Sequence, residues 1–140
     1  MRTAEEVLLV VTRPGPEFLV LLRSPEKHGY WNPVAGGIEG GESPEAAAVR
    51  ELAEETGLDA SGGLEALPLE LGYRRPEESG GFWVKLHAFH VPAPGGWEPV
   101  LNDEHVEYRW CAAAAAIRLV DYPEPREALR LVAQRLGVDA

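Results

Sequence analysis

Cysteine, positive charge and long apolar runs are scarce in this sequence, and each scarcity excludes a class of protein. Cys111 is the only cysteine among 140 residues, so no intrachain disulfide can form and a reducing compartment is expected. The apolar run EVLLVVT near the N-terminus is too short to span a bilayer, and this segment lacks the arrangement of a signal peptide. We therefore expect a cytoplasmic protein with no membrane partner.

Positive charge is scarce because 13 lysine and arginine side chains stand against 23 aspartates and glutamates. The net charge of −10 and the isoelectric point near 4.8 disfavour non-specific binding to nucleic acid, so we expect no nucleic-acid partner. An acidic protein that acts on an anionic substrate needs cations at its site, which agrees with metal dependence. The hydrophobic fraction of 45% and the chain length predict one soluble domain with a real core.

Turn residues and charges concentrate in the central stretch, GGIEGGESPEAAAVRELAEETGL. Ser43 is a good helix N-cap, and Pro44 suits the first helical position. Gly57 stands where helices commonly end in a left-handed residue. These signals predict a loop over residues 35–42, followed by a helix over residues 44–56.

This helix is predicted to have two chemically opposite sides, because successive residues turn by ~100°. The arc expected to face the core contains Val49, Leu52, Ala53 and Thr56. The opposite arc contains Glu51, Glu54 and Glu55, with the small side chain of Ala47 between them. Arg50 lies four residues before Glu54, close enough on a helix to hold that carboxylate.

Three glutamates on one helical arc repel one another unless a cation joins them. Hard divalent ions such as Mg²⁺ take oxygen ligands and commonly bridge carboxylates to substrate phosphates. The alternative is a solvated acidic helix face, which is the commoner cause of an E-x-x-E-E pattern. The glycine-rich turn before the helix and the spacing of the whole stretch favour the metal site.

The whole stretch resembles the Nudix box at each defining position. The pattern G-x5-E-x7-R-E-L-x-E-E-x-G-L begins at Gly36 and ends at Leu58, so nine specified positions match within 23 residues. The resemblance implies a single Nudix hydrolase domain over residues 1–140. It also implies the α/β class, with a Nudix-type α/β/α sandwich and a central mixed sheet.

The same resemblance implies hydrolysis of a nucleoside diphosphate linked to another moiety, with Mg²⁺ as cofactor and Mn²⁺ as the alternative ion. The implied metal ligands are the backbone carbonyl of Ala35 and the side chains of Glu51, Glu54, Glu55 and Glu104. The implied catalytic residues are Arg50, Glu54, Glu55 and Glu104. Glu42 is expected to brace the loop, while Arg50 is expected to orient Glu51 or Glu54 rather than touch the substrate.

The general base stays open between Glu55 and Glu104. Glu104 is inferred from the segment LNDEHVEYRWC, which resembles Nudix proteins that carry an acidic residue on the loop before a late strand. Glu98 and Asp103 are its rivals for that role.

Contacts to the substrate are predicted for Arg23, Gly36 and Gly37, with a solvated strand-end arginine as the alternative for Arg23. The expected partner is a small nucleotide or nucleotide-like molecule. Similarity outside the box favours a nucleoside triphosphate, or a related triphosphate such as dihydroneopterin triphosphate. Diadenosine polyphosphates and ADP-sugars are alternatives, and a nucleotide sensor that cleaves nothing is the alternative from another class. The sequence leaves open whether the protein forms a homodimer.

Apolar segments on either side of the box predict the remaining elements. Strands are expected over residues 6–12, 18–22, 67–73 and 82–91, with a further strand ending at Trp110. A short helical turn is expected from residue 112, followed by a helix over residues 125–136. The buried stripe of that last helix is predicted to contain Leu129, Val132, Ala133 and Leu136. Trp31 and Trp97 are predicted to pack against the protein rather than stack on a base.

Overall fold

One sheet, covered by helices on both faces, organises the chain in a computed structural model that describes residues 3–61 and 63–140. Its strands are β1 (Thr3–Arg13), β2 (Glu17–Arg23), β3 (Trp31–Asn32), β4 (Val34–Gly37), β5 (Glu65–Ala66), β6 (Leu71–Arg74), β7 (Trp83–Pro92) and β8 (His105–Cys111). The helices are α1 (Pro44–Thr56), α2 (Ala113–Leu119) and α3 (Pro123–Arg135). Short 3-10 turns lie at Pro25–Lys27 and Glu77–Ser79.

The longest strand, β1, lies at the centre of the sheet. It runs parallel to β7 and antiparallel to β2 and β4, while β8 pairs with the outer side of β2. Its apolar run is buried on both faces, which is typical of a strand covered from two sides. The predicted mixed sheet is therefore confirmed.

Alternation along β1 divides the interior into two cores. Leu8 and Val10 point to the core shared with α2 and α3, whereas Val7, Leu9 and Val11 point to the core shared with α1. One helical layer thus covers each face of the sheet. This arrangement confirms the predicted α/β/α sandwich. Among the described residues, no helix is both long and apolar enough to cross a membrane.

The predicted bounds of the central helix are confirmed by α1. The Ser43 hydroxyl accepts a hydrogen bond from the backbone N–H of Ala46 at 3.1 Å, and Pro44 occupies the first turn. Gly57 ends the helix with a φ of 80°, a left-handed value that a glycine adopts without strain.

The predicted rotation of α1 is wrong. Ala53 is exposed and Val49 is only half-buried, so the core face does not centre on them. Leu52 and Thr56 are buried as predicted, but the other buried residues of the helix are Ala47, Ala48, Glu51 and Glu55. Two small alanines let the helix pack closely on the sheet, and that face carries two glutamates inward with it. Ala47 therefore belongs to the core and is not an open gap between the glutamates.

Three other boundaries differ from the sequence predictions. The first part of the predicted 35–42 loop belongs to β4, which pairs with β1 up to Gly37. The predicted 67–73 strand is reduced to β6, because Pro68 lacks the N–H that a strand ladder requires. The last helix begins at Pro123 and ends before Leu136, which is 41% exposed rather than part of the buried stripe.

Candidate metal and phosphate site

Arg50 on α1 is the hub of a network of carboxylates, which we call the Arg50 cluster. Its Nε and Nη2 atoms donate to the two oxygens of Glu42 at 2.7 and 2.9 Å. Its Nη1 atom donates to Glu51 at 2.9 Å and to Glu54 at 3.3 Å, and Nη2 also donates to the carbonyl of Gly37 at 2.9 Å. One guanidinium therefore joins the helix, the preceding loop and the end of β4.

The predicted bracing contact of Glu42 is present in this cluster. Its carboxylate accepts the paired hydrogen bonds of Arg50 and another from the backbone N–H of Glu39 at 2.9 Å. These hydrogen bonds, that of Arg50 foremost, lower the pKa of Glu42 to about 2. Glu42 thus stays ionised and closes the glycine-rich turn onto the helix.

Glu51 lies directly against the backbone of Gly36 on β4. A Cβ atom added at Gly36 would overlap the Glu51 carboxylate, whereas one added at Gly37 would meet open space. The glycine at the start of the box pattern is therefore required so that this glutamate can lie on the strand. Ala35 precedes it on the same strand, paired with Leu8 of β1.

Glu55 is the most deeply buried glutamate of the helix, at 2% exposure. Its Oε1 atom has no hydrogen-bond partner. Burial raises the pKa of Glu55 to about 10, with smaller contributions from the neighbouring carboxylates of Glu51 and Glu104. Glu54, in contrast, points outward with 53% of its side chain exposed. The three box glutamates therefore occupy very different surroundings.

His105 also lies at this site, although the sequence predictions did not include it. Its Nε2 atom is 3.6 Å from Oε1 of Glu55, and its side chain is 2% exposed. Burial and the nearby charge of Arg23 lower its pKa to about 4. The only sequence signal was its place directly after Glu104. We call Glu55, His105 and Arg23 the Glu55 cluster.

Glu104, the acidic residue predicted on the late loop, interacts electrostatically with the box helix. Its charge acts on both Glu55 and His105, and its carbonyl accepts a 2.8 Å hydrogen bond from the backbone of Ser24. The Ser24 hydrogen bond holds the loop beside the end of β2. Within the loop, the backbone N–H of Glu104 donates to the side chain of Asn102 at 3.2 Å.

Glu98 is held in a different place. Its carboxylate accepts hydrogen bonds from Arg13 at 2.8 Å, Trp110 at 2.9 Å and Tyr108 at 3.1 Å. Trp97 packs edge-on against Trp110 nearby, so the predicted packing role of Trp97 is confirmed. Glu98 thus anchors the loop after β7 to the sheet.

Arg23 ends β2 beside the Glu55 cluster. Its guanidinium carbon lies 5.5 Å from the ring centre of Tyr30, and its buried Nε atom has no hydrogen-bond partner. Its positive charge opposes the rise in the pKa of Glu55. A partly buried donor next to an acidic pair suits an anionic ligand that a cation has drawn into the site.

The donor chemistry of the two clusters fits a hard divalent cation. Glu51 and Glu55 are adjacent buried carboxylates, and an unpartnered carboxylate oxygen remains on Glu55. A cation would replace the proton that Glu55 otherwise retains. Within residues 3–61 and 63–140, no three acidic, histidine or cysteine side chains converge on one ion position. The exposed side chain of Glu54 is free to turn from Arg50 and add a further oxygen.

Comparison with known proteins places this geometry in a family. The family model described as NUDIX domain matches residues 2–132. The chain belongs to the NUDIX domain family. Its members in this comparison include the CTP pyrophosphohydrolase of Escherichia coli strain K12, which is 31% identical over 84% of this chain and 82% of that protein.

A longer relative matches this chain over only part of its own length. The octanoyltransferase of Myxococcus xanthus is 36% identical over 137 residues, which make up 93% of this chain. The chain spans 36% of the length of that protein.

Two solved structures resemble this chain over nearly its whole length. The Caenorhabditis elegans Ap4A hydrolase binary complex has a TM-score of 0.81 and 27% identity, covering 96% of this chain and 98% of that one. The Escherichia coli dihydroneopterin triphosphate pyrophosphohydrolase has a TM-score of 0.82. Its identity of 24%, over 94% of this chain and 95% of that one, supports the shared fold alone.

Proposed function

We propose that this chain is a divalent-metal-dependent pyrophosphohydrolase that cleaves a nucleoside diphosphate linked to another moiety. The observation that carries the proposal is the buried pair of Glu51 and Glu55, laid against Gly36 with an unpartnered oxygen on Glu55. Burying two neighbouring carboxylates is costly, so a fold that keeps them is best explained by a cation that they bind. Family membership supports the same chemistry.

The proposed metal ligands are those expected from the sequence, and Mg²⁺ is the proposed ion with Mn²⁺ as an alternative. They are the carbonyl of Ala35 and the side chains of Glu51, Glu54, Glu55 and Glu104. When bound, the ion would neutralise phosphate oxygens and acidify the attacking water. Arg50 holds Glu51 and Glu54 near one another, and Glu42 keeps Arg50 in place.

The proton of the attacking water has two candidate acceptors, Glu55 and Glu104. A general base must reach its proton within hydrogen-bond distance. Glu55 is the stronger candidate because its Oε1 atom has no protein hydrogen bond to give up. Arg23 is proposed to face a substrate phosphate with its guanidinium group. Gly36 and Gly37 are proposed to contact the substrate through their backbone, with open space beside Gly37.

The proposed substrate is a nucleoside triphosphate or a related triphosphate such as dihydroneopterin triphosphate. The similarity to a CTP pyrophosphohydrolase over most of both chains supports this class. A diadenosine polyphosphate is the second candidate, because the Ap4A hydrolase structure matches at 27% identity over 98% of its length. ADP-sugars remain a third class to test. We also propose a cytoplasmic location, since a reducing compartment keeps the single cysteine free.

A substrate panel tests the proposed function. The purified chain is incubated with Mg²⁺ and nucleoside triphosphates, dihydroneopterin triphosphate, diadenosine tetraphosphate or ADP-ribose, and the products are separated by chromatography. We expect a nucleoside monophosphate and pyrophosphate from the first class, and AMP with ATP from the dinucleotide. The variants Glu54→Gln and Glu55→Gln are expected to lose most activity while remaining folded. Nucleotide binding without any turnover would instead indicate a sensor domain.

A further inference from the structure

An irregularity between β2 and β8 decides which face of the sheet His105 occupies. Leu22 of β2 pairs with Glu107, but the next residue, Arg23, pairs with His105. Val106 is therefore an extra residue in β8, which forms a β-bulge. In an unbroken strand, His105 and Glu107 would point to the same face of the sheet. Tyr108 points to the opposite face, which is covered by α1. The bulge turns His105 to the α1 side instead. Bulges are over-represented next to active sites, where they re-aim a side chain.

Turned in this way, His105 meets Glu55 out of contact with water. The Nε2 atom lies 3.6 Å from Oε1, and the two side chains are 2% and 3% exposed. Oε1 of Glu55 and Nδ1 of His105 both lack a hydrogen-bond partner. Oε1 of Glu55 is therefore the unsatisfied atom within this contact, while Nδ1 is the ring nitrogen that does not take part in it.

The chemistry of a neutral imidazole favours one arrangement of this contact. Only one ring nitrogen carries a proton, and the other is an acceptor. Once a cation has displaced the proton of Glu55, a proton on Nε2 supplies a donor to the ionised carboxylate and leaves Nδ1 as an acceptor. In that ionised state, a proton on Nδ1 would bury an unpaired donor and set a lone pair of Nε2 against Oε1, which costs free energy. Contacts of this kind are often long before substrate binds and then shorten.

We propose that His105 is a positioning residue, whose Nε2–H holds the Glu55 carboxylate in the orientation that metal binding and water activation require. This role rests on the proposed function, because Glu55 is its metal ligand and candidate base. His105 itself touches neither metal nor substrate in this role. Partners of this kind typically change metal affinity or activity by about 10- to 100-fold when they are removed.

Two amide substitutions distinguish the two ring nitrogens. His105→Gln places an N–H donor near the position of Nε2, whereas His105→Asn places its amide near Nδ1 and leaves the Nε2 position without a donor. We expect His105→Asn to lose about 10- to 100-fold in both kcat and Mn²⁺ affinity with little change in KM. We expect His105→Gln to stay within about threefold of wild type. Mn²⁺ affinity is measured calorimetrically without substrate.

His87→Asn is the matched control, because His87 pairs with exposed Glu5 at 2.7 Å and belongs to neither cluster. It should leave kcat and Mn²⁺ affinity unchanged. Thermal unfolding of each variant shows whether a loss reflects the site or the fold. If His105→Asn fails to fold, nitrogen-15 spectra of the Mg²⁺-loaded wild-type chain decide the tautomer, and the Nε2–H form is expected.

Three results would overturn the role of His105. A folded His105→Asn variant with wild-type kcat and Mn²⁺ affinity shows that no positioning is needed. A His105→Gln variant as impaired as His105→Asn shows that the donor at Nε2 is not what matters. An Nδ1–H tautomer in the wild type removes the proposed hydrogen bond. A wild-type chain that cleaves nothing in the panel removes the proposed function, whereas Mn²⁺ binding and the tautomer still decide the role of His105.

Discussion

The Arg50 cluster and the Glu55 cluster are neighbours on one helix, yet they balance their charges in opposite ways. In the first, Arg50 supplies hydrogen bonds to three carboxylates and a carbonyl. In the second, buried polar atoms of Glu55, His105 and Arg23 have no partner. Groups that are already satisfied hold the loop and the helix together. Groups that are buried and unsatisfied cost stability, and the proposed ligand would supply the partners that they lack.

Glu55→Gln should give the largest effect. If Glu55 is the general base, loss of its carboxylate is expected to lower kcat about 10²- to 10⁴-fold. The same change should stabilise the metal-free protein, because it removes a buried group that resists ionisation.

The sign of that stability change follows from the raised pKa of Glu55. Between its ordinary value of 4.5 and about 10, the unfolded chain has released the proton while the folded chain retains it. Metal-free wild type should therefore lose stability as pH rises through this range, and Glu55→Gln should show a shallower slope. Urea unfolding in chelator at pH 5, 7 and 9 measures both slopes. If the free energy of unfolding changed equally with pH in wild type and Glu55→Gln, Glu55 would not be the buried, unsatisfied group that distinguishes its cluster.

Arg50→Met tests the satisfied cluster. It should destabilise the fold by about 2 kcal/mol. Several hydrogen bonds to charged groups are lost, but the partly exposed carboxylates can form hydrogen bonds with water instead, which reduces the loss. Arg135→Met is the control, since its ion pair with Glu65 lies at the surface with 39% and 57% exposure. The control should change the free energy of unfolding by less than about 0.5 kcal/mol. Equal effects in the two variants would show that Arg50 contributes no more than a surface ion pair.

Gly36→Ala and Gly37→Ala form a pair that differs by one position along β4. The first places a methyl group onto the Glu51 carboxylate, whereas the second meets open space. We expect Gly36→Ala to cost about 1–2 kcal/mol of stability and to weaken Mn²⁺ binding. Gly37→Ala should change stability by less than about 0.5 kcal/mol. Indistinguishable unfolding curves for the two variants would mean that Glu51 moves aside without cost.

The bounds of α1 were predictable because they depend on local signals. Ser43, Pro44 and Gly57 determine where the helix starts and stops through hydrogen bonds and dihedral angles of the adjacent backbone. The mixed sheet and the layered fold followed from the box and its flanking apolar strands. None of these features required knowledge of which side of the helix meets the sheet.

The rotation of α1 could not be predicted from hydrophobicity. The hydrophobicity of Val49 and Ala53 favoured a core face centred on them. Close packing through Ala47 and Ala48 instead turned Glu51 and Glu55 inward. Small side chains are weak hydrophobic signals, yet they allow the closest approach of a helix to a sheet. The place of the glutamates was thus a matter of packing.

By itself, the sequence determined the identity and spacing of the carboxylates, the ends of the helix that carries them and the class of the fold. Tertiary structure alone decided that Glu55 is buried without a partner, that Glu104 rather than Glu98 stands near it, and that the bulge at Val106 brings in His105. The physical reason is the range of the interactions. Caps and turns act over a few residues of chain, whereas burial, desolvation and strand register depend on segments that meet only after folding.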